Sequence, residues 1–136
     1  GPLGFLRPGA IRPWVRRTME LFSVKAASDM VQGGTLSGGN MQKLVMAREM
    51  AFDSPLLLVS QPTRGVDVGG IAFIHEQILR HRRQGGGALL ISSDLDEVLA
   101  LADRVVVMYQ GRIAALLPRK EASRELVGRY MLSGMA

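Results

Sequence analysis

The apolar positions of this chain repeat at helical spacing in some segments and form short unbroken runs in others. The helical spacing predicts helices over Trp14–Phe22, over Gly38–Phe52, from Asp67 to about Gln84, over Asp94–Ala102 and over Lys120–Leu132. Pro8 and Pro13 are expected to delay the first helix, because proline fits poorly inside one. Ser93 and Asp96 resemble a capping box that begins the fourth helix.

Short apolar runs between these helices predict four strands, over Leu56–Val59, Ala88–Ile91, Arg104–Met108 and Arg112–Leu117. The first two are almost wholly apolar, which is typical of strands buried on both faces of a parallel sheet. Gln110-Gly111 predicts a hairpin turn between the last two. Alternating strands and helices indicate an α/β fold with a parallel sheet and right-handed crossovers, preceded by a helical segment.

The start of the second helix has an unusual composition, because Ser37 is followed by two glycines. Serine is an ordinary N-cap, and on Ser37 alone a plain capped helix is the simpler interpretation. Gly38 and Gly39, however, each cost about 1 kcal/mol of helix propensity, which a purely structural cap does not need. Exposed backbone N–H groups at a helix N-terminus bind anions, typically phosphate. We therefore interpret Leu36–Asn40 as a candidate phosphate contact.

The composition indicates one globular domain of modest size. The chain has 136 residues, no cysteine and a net charge of +5. Neither disulfides nor thiolate metal sites are possible, and no apolar run is long enough to span a bilayer. Arg7, Arg12, Arg16 and Arg17 precede the first acidic residue, which suggests a nucleic-acid or lipid patch or simply a solvated helix face. We favour the solvated face, because Trp14 is the only aromatic residue among these arginines.

The titratable residues suggest no metal site. His75 and His81 share a predicted helix, and no carboxylate or cysteine cluster surrounds both, so we predict surface residues rather than ligands. The acids Asp94, Asp96 and Glu97 favour the N-terminus of a helix electrostatically, which is a sufficient account of them.

Taken in order, these motifs resemble the ATPase of ATP-binding cassette (ABC) transporters, and more narrowly the second cassette of tandem-cassette importers for simple sugars and nucleosides. Leu36–Lys43 matches the signature motif of that group, and Thr63–Gly69 matches its D-loop region. Val105–Ile113 matches the hairpin after the last core strand. The resemblance implies part of a P-loop-NTPase-type parallel sheet flanked by helices, preceded by part of an α-helical signature subdomain.

The resemblance also implies a division of the chain. Gly1–Gly4 resembles what remains of a cleaved purification tag, and on that interpretation the chain is a piece of a longer protein. Residues 5–54 are then the helical signature subdomain, residues 55–118 the core α/β half, and residues 119–136 a C-terminal helix.

Three family elements are missing or altered. No Gly-x-x-x-x-Gly-Lys-Ser/Thr phosphate loop occurs in the chain. Ser60 and Gln61 stand where a working cassette has Asp-Glu, the pair that holds magnesium and orients the attacking water. Ser93 stands where the family has its switch histidine. The resemblance therefore implies a hydrolytically weak or dead ATP site and a chain that is inactive alone.

The signature motif, in contrast, is intact. In the family two cassettes close head to tail, so Ser37, Gly38, Gly39 and Gln42 would contact the ATP held by a partner cassette. Asp67 would act in the D-loop between the two sites, cap its own helix, or do both. We expect ATP and Mg in the full assembly and none bound to this chain alone.

The resemblance further implies partners and a location: a partner cassette, transmembrane permease subunits and an extracytoplasmic substrate-binding protein, with the ATPase on the cytoplasmic face of the membrane. No nucleic-acid partner is expected. The alternative is the ATPase head of a chromosome-maintenance or recombination protein, although no sustained heptad pattern appears. A stand-alone regulatory domain is a third possibility. Open sheet edges predict self-association.

Overall fold

The computed structural model of the chain describes residues 8–52 and 54–135, so the predicted tag remnant lies outside the described residues. The elements are α1 Pro8–Leu21, a 3₁₀ turn Gly33–Thr35, α2 Gly38–Met50, β1 Leu56–Ser60, α3 Val68–Arg83, β2 Gly87–Ile91, α4 Leu95–Leu101, β3 Arg104–Tyr109, β4 Arg112–Pro118 and α5 Arg124–Ser133. All five predicted helices and all four predicted strands are therefore present. Among the described helices, none combines the length and the apolar character needed to cross a bilayer.

The first helix begins at Pro8, six residues before the predicted start, and Pro13 lies inside it. The prediction that both prolines delay the helix is therefore wrong. Pro8 costs little at the first helical position, because the N–H that it lacks would have no intrahelical partner there. Pro13 removes only the hydrogen bond to the Gly9 carbonyl. Other side chains of the same helix hold that turn in place, as described below.

Strands β1 and β2 pair with each other. The Gly87 N–H donates to the Pro55 carbonyl over 2.8 Å at one end, and the Gln61 N–H donates to the Ile91 carbonyl over 2.8 Å at the other. Both strands therefore start at the same edge, and the pair is parallel, as predicted.

The prediction that these two strands are buried on both faces is wrong for the described residues. In β1, Leu57 and Val59 are buried whereas Leu56 and Leu58 are exposed. Such alternation is the signature of a sheet with one covered face. Among residues 8–52 and 54–135 no element covers the second face, which accounts for the exposed leucines.

Helix α4 is capped by Asp94 rather than by the predicted Ser93. The Asp94 Oδ1 atom accepts from the N–H groups of Asp96 (2.9 Å) and Glu97 (3.3 Å). Aspartate is an equally good N-cap, and the Ser93 hydroxyl has another partner, described below. The last helix begins at Arg124, four residues after its predicted start, because a turn occupies the preceding residues and Ser123 caps the helix.

The described chain divides into two compact units. One comprises the described residues up to Leu57 together with Pro62–Ala88, and the other comprises Leu58–Gln61 and the residues from Leu89 onward. The predicted division at residues 54 and 118 stays a prediction.

The first unit is mainly helical, and α2 packs between α1 and α3. Its core contains Phe22, Met46, Ala47, Ile74 and Ile78, all buried. The rings of Phe22 and Phe73 meet edge to face with centroids 6.1 Å apart. Such aromatic pairs add to the free energy gained from burial alone, so this contact helps to fix α1 against α3.

The second unit is built on the β3–β4 hairpin, which packs against α5. Val105, Val107, Ala122 and Val127 form its buried cluster. Gln110 and Gly111 both have positive φ (46° and 75°), the conformation of a two-residue hairpin turn. The predicted turn is therefore confirmed.

Candidate functional site

The signature segment, Leu36–Lys43, begins with a turn that leads directly into α2. The Leu36 N–H donates to the Gly33 carbonyl (3.0 Å), and Ser37 follows in extended conformation with φ −62° and ψ 155°. The Met41 N–H donates to the Ser37 carbonyl over 2.9 Å, which closes the first helical turn. Ser37 is thus the N-cap residue of α2.

The first-turn donors of this helix are unoccupied. The Ser37 side chain makes no capping hydrogen bond. Within the described part of the chain, the N–H groups of Gly38, Gly39 and Asn40 donate to no protein acceptor. Ser37 and Gly38 are exposed, and no acidic residue lies in the first turn. Three N–H donors at the positive end of the helix dipole can bind an anionic oxygen.

The Asn40 side chain makes hydrogen bonds on both sides of the start of α2. The Asn40 Nδ2 atom donates to the Ser37 Oγ atom over 2.9 Å, and the Asn40 Oδ1 atom accepts from the Lys25 backbone N–H over 2.7 Å. The Asn40 side chain therefore joins the loop before the signature segment to the hydroxyl at the start of α2.

The D-loop region borders the signature segment on another side. A Cβ atom built at Gly38 would lie 3.3 Å from the Gly65 carbonyl oxygen, and one built at Gly39 would lie 3.7 Å from the Asp67 Oδ2 atom. A side chain at position 38 would therefore crowd the Gly65 carbonyl. Asp67 also caps α3, because its Oδ1 atom accepts from the Gly70 N–H over 2.8 Å. Its predicted part in communication between two sites stays a prediction.

Two further polar residues of the segment are Gln42 and Lys43. Gln42 is half-buried. Lys43 lies over the Phe73 ring, with its Nζ atom 5.5 Å from the ring centroid, a cation–π contact between α2 and α3. The predicted contact of Gln42 with ATP stays a prediction.

A fork of two arginines holds the loop that precedes the segment. Asp29 accepts from the Arg12 Nε and Nη2 atoms (3.0 and 3.1 Å) and from the Arg16 Nε atom (3.1 Å). The Asp29 side chain is only 4% exposed. The hydrogen bonds from Arg12, with smaller effects from Arg16, lower the pKa of Asp29 far below its usual value. The carboxylate thus stays ionised and ties α1 to this loop.

The three altered positions lie in the second unit, and two of them are in contact. The Ser93 hydroxyl donates to the Gln61 Oε1 atom over 3.1 Å. Gln61 has a φ of 49°, and its N–H is bound to the Ile91 carbonyl. Ser60 is exposed at the end of β1. These groups are a neutral amide and two hydroxyls, and they include no carboxylate that could serve as a base.

The two histidines, predicted to be surface residues rather than ligands, are half-buried. The His81 ring lies directly on Gly86, where any side chain would collide with it. The packing of the loop after α3 onto its last turn covers this ring. Among the described residues, no three histidine, aspartate or glutamate side chains are grouped closely enough to hold a metal ion.

Sequence reasoning missed the residues that support the segment from outside it. Asp29 lies 17 residues from Arg12, and Lys25 lies 15 residues from Asn40. No periodicity or motif connects such pairs. The only local signal was the position of Asn40, three residues after the N-cap, where a polar side chain often reaches back to the cap.

Curated relatives of this chain include two import ATP-binding proteins. No protein-family model matches the chain. It is 44% identical over 93% of its length to the glucose import ATP-binding protein TsgD13 of Haloferax volcanii, covering 23% of that protein. It is 40% identical over 96% of its length to the nucleoside import ATP-binding protein NupA of Lactococcus lactis, covering 26%. The chain thus spans about a quarter of the length of these curated relatives.

Solved structures agree on the fold. A dimeric ATP-binding cassette in a post-hydrolysis state bound to ADP and Pi superposes with a TM-score of 0.73 at 18% identity, over 85% of this chain and 50% of that one. A second ABC-transporter cassette gives a TM-score of 0.72 at 23% identity, over 93% of this chain and 49% of that one. At these identities the likeness establishes the fold alone.

These findings confirm the resemblance and the α/β fold class, and they do not favour a DNA-maintenance ATPase. Assignment to the second cassette of a tandem pair stays a prediction. The chain is homologous over most of its length to part of the ATP-binding proteins of sugar and nucleoside importers, and its fold is that of part of an ATP-binding cassette.

Proposed function

We propose that this chain supplies the signature motif to a partner ATP-binding cassette in an importer for simple sugars or nucleosides. The observation that carries the proposal is the vacant first turn of α2, where the N–H groups of Gly38, Gly39 and Asn40 have no acceptor among the described residues. The relatives are named as sugar and nucleoside import ATP-binding proteins, which supports the terminal phosphate of ATP as the anion in this proposal.

The mechanism is electrostatic stabilisation by donors that are already in place. In the transition state the charge of the γ-phosphoryl group is spread over its three equatorial oxygens, and donors that need no reorganisation stabilise that charge best. Three helix N–H groups and the Ser37 hydroxyl form such a set. A magnesium ion bound with the ATP in the partner would neutralise part of the phosphate charge, and this chain contributes no ligand to it in our proposal.

The second part of the proposal is that the ATP site belonging to this cassette is degenerate. A working cassette uses a carboxylate to accept the proton of the attacking water, and neither Gln61 nor Ser93, a neutral hydrogen-bonded pair, can accept it. Ser60 offers one hydroxyl oxygen, a weak ligand for magnesium compared with a carboxylate. Turnover would then take place only at the site completed by the signature segment.

In this proposal the assembled transporter contains a partner cassette, membrane permease subunits and an extracytoplasmic binding protein. The chain acts at the cytoplasmic face of the membrane. The nature of the sugar or nucleoside is decided by those other subunits rather than by this chain.

The test is Ser37→Arg in the full-length ATP-binding protein that carries this sequence, assembled with its permease. The long side chain would cover the first-turn N–H groups, so we expect ATP hydrolysis to fall by at least about a hundredfold, the loss typical of removing such donors. Ser133→Arg, at the exposed end of α5, is the matched control and should retain the rate. Unchanged hydrolysis in Ser37→Arg would contradict the proposal.

A further inference from the structure

The two hydrogen bonds of Asn40 determine the direction of the hydrogen bond at Ser37. The Lys25 group is a backbone N–H, which can only donate, so the Asn40 side chain must present its Oδ1 atom there. The other end of the amide, Nδ2, is also a donor only, and it lies 2.9 Å from the Ser37 Oγ atom. The Ser37 oxygen is therefore the acceptor in this bond.

This direction leaves the Ser37 proton available. A hydroxyl has one proton and two lone pairs, and Asn40 occupies one lone pair. The proton can point outward, toward the same region as the vacant N–H groups of Gly38 and Gly39. Were Ser37 to cap α2 in the usual way, its oxygen would accept from the position-40 N–H, and one of the three vacant donors would be lost.

We propose that Asn40 is a positioning residue that keeps the Ser37 hydroxyl out of the capping position and oriented as a donor toward a phosphate oxygen. The inference rests on the proposed function, because it assigns Asn40 a role within that same site. Asn40 does not touch the phosphate through its side chain. Its effect is transmitted from the Lys25 backbone, through the carboxamide, to the hydroxyl.

The first test needs no phosphate. We measure amide hydrogen exchange by NMR in the 136-residue chain. In Asn40→Ala the Ser37 side chain is released and can cap α2, so exchange of the position-40 amide should slow about fivefold, as expected for one capping hydrogen bond. In the double variant Ser37→Ala/Asn40→Ala this protection should disappear. Equal exchange in the single variant and the wild type would overturn the inference.

The second test uses inorganic phosphate as the probe and Asn40→Asp as the variant. An aspartate still accepts from the Lys25 N–H, so the loop anchor is kept, but its second oxygen accepts a proton from Ser37 and reverses the bond. The phosphate affinity read from the Gly38 and Gly39 amide shifts should fall at least about tenfold, the worth of one hydrogen bond to a charged group.

The added negative charge needs its own control. Gly34→Asp adds one negative charge three residues before Ser37, at an exposed position where an added Cβ atom meets nothing within 4 Å. This variant should weaken phosphate binding through its charge alone, and therefore less than Asn40→Asp does. An Asn40→Asp affinity equal to that of Gly34→Asp would overturn the inference and leave the proposed function standing. A wild-type chain whose Gly38 and Gly39 amides ignore phosphate would overturn both.

Discussion

The Ser93 hydroxyl donates a hydrogen bond to the Gln61 amide oxygen over 3.1 Å, just beyond the carboxyl ends of the parallel strands β1 and β2. In open α/β sheets this edge is where ligands and catalytic groups gather. Here two neutral side chains are joined by one hydrogen bond. This neutral pair is what the proposed loss of hydrolysis at this site would require.

The first prediction concerns this pair. Because Gln61 cannot act as a base, Gln61→Ala in the full-length protein should change the ATP turnover of the assembled transporter less than about twofold. Gln61→Asn is the matched control, because asparagine adopts the positive φ of 49° more readily than alanine. This variant therefore changes the side chain without the backbone strain that alanine would add. A collapse of turnover in both variants would show that the local site is active.

The second prediction separates two adjacent glycines by their surroundings. Alanine at position 39 makes an ordinary contact 3.7 Å from the Asp67 carboxylate, whereas alanine at position 38 would sit 3.3 Å from the Gly65 carbonyl. Gly39→Ala should therefore stabilise the chain by up to about 1 kcal/mol through helix propensity. Gly38→Ala should gain less or destabilise it, because the backbone must shift.

Urea unfolding of the two alanine variants measures this difference in the free energy of unfolding. The wild-type chain is the reference, and the comparison is internal because both changes add one methyl group to the same helical turn. Equal stabilisation in the two variants would contradict the close approach between α2 and the Gly65 carbonyl.

The third prediction is a pH dependence caused by Asp29. Its folded-state pKa is depressed below the ordinary value, so its contribution to stability is full above about pH 4 and is lost as the pH falls toward the folded-state pKa. Asp29→Asn should be less stable than the wild type at neutral pH. The difference between them should shrink as the pH falls below about 4.

Urea unfolding at a series of pH values tests the sign. Arg12→Gln removes the main cause of the Asp29 pKa shift and should, like Asp29→Asn, reduce the loss of stability at acid pH. Arg17→Gln removes one positive charge from the same helix and should lose stability at acid pH as the wild type does. A parallel loss of stability with pH in the wild type and in Asp29→Asn would contradict the ion-pair fork.

The fourth prediction concerns the second face of the β3–β4 hairpin. Val106 pairs with Leu116 and Met108 with Ile113, and these four side chains are 47–67% exposed. Exposed apolar strips of this kind promote association. We expect concentration-dependent self-association of the 136-residue chain, which light scattering detects as a mass above that of the monomer.

A charged cross-strand pair should reverse the effect. Met108→Lys with Ile113→Glu places opposite charges at paired positions, which keeps the hairpin and removes the apolar strip. The control is Leu132→Lys, which changes a residue that is 82% exposed on α5. The idea is wrong if the control lowers the mass as much as the paired variant does.

The order of helices and strands was predictable because it depends on periodicity within each segment. The boundaries of these helices and strands were less predictable. Pro13 was expected to delay the first helix, but tertiary contacts of α1 outweigh the single hydrogen bond that it removes. Ser93 was expected to cap α4, but Asp94 caps it equally well and Gln61 competes for the Ser93 hydroxyl. Local rules identify the candidates, and packing chooses among them.

The sequence by itself determined what local preference decides: the order of the helices and strands, which follows from periodicity, and the Gln110-Gly111 turn, whose positive φ angles suit its residues. Only the tertiary structure decided which polar groups meet. Lys25 and Asn40, Arg12 and Asp29, and Gln61 and Ser93 are 15, 17 and 32 residues apart. Such partners are brought together by helix and strand packing, and backbone preferences act over only a few residues. That the Ser37 side chain makes no capping hydrogen bond is therefore a property of the folded chain.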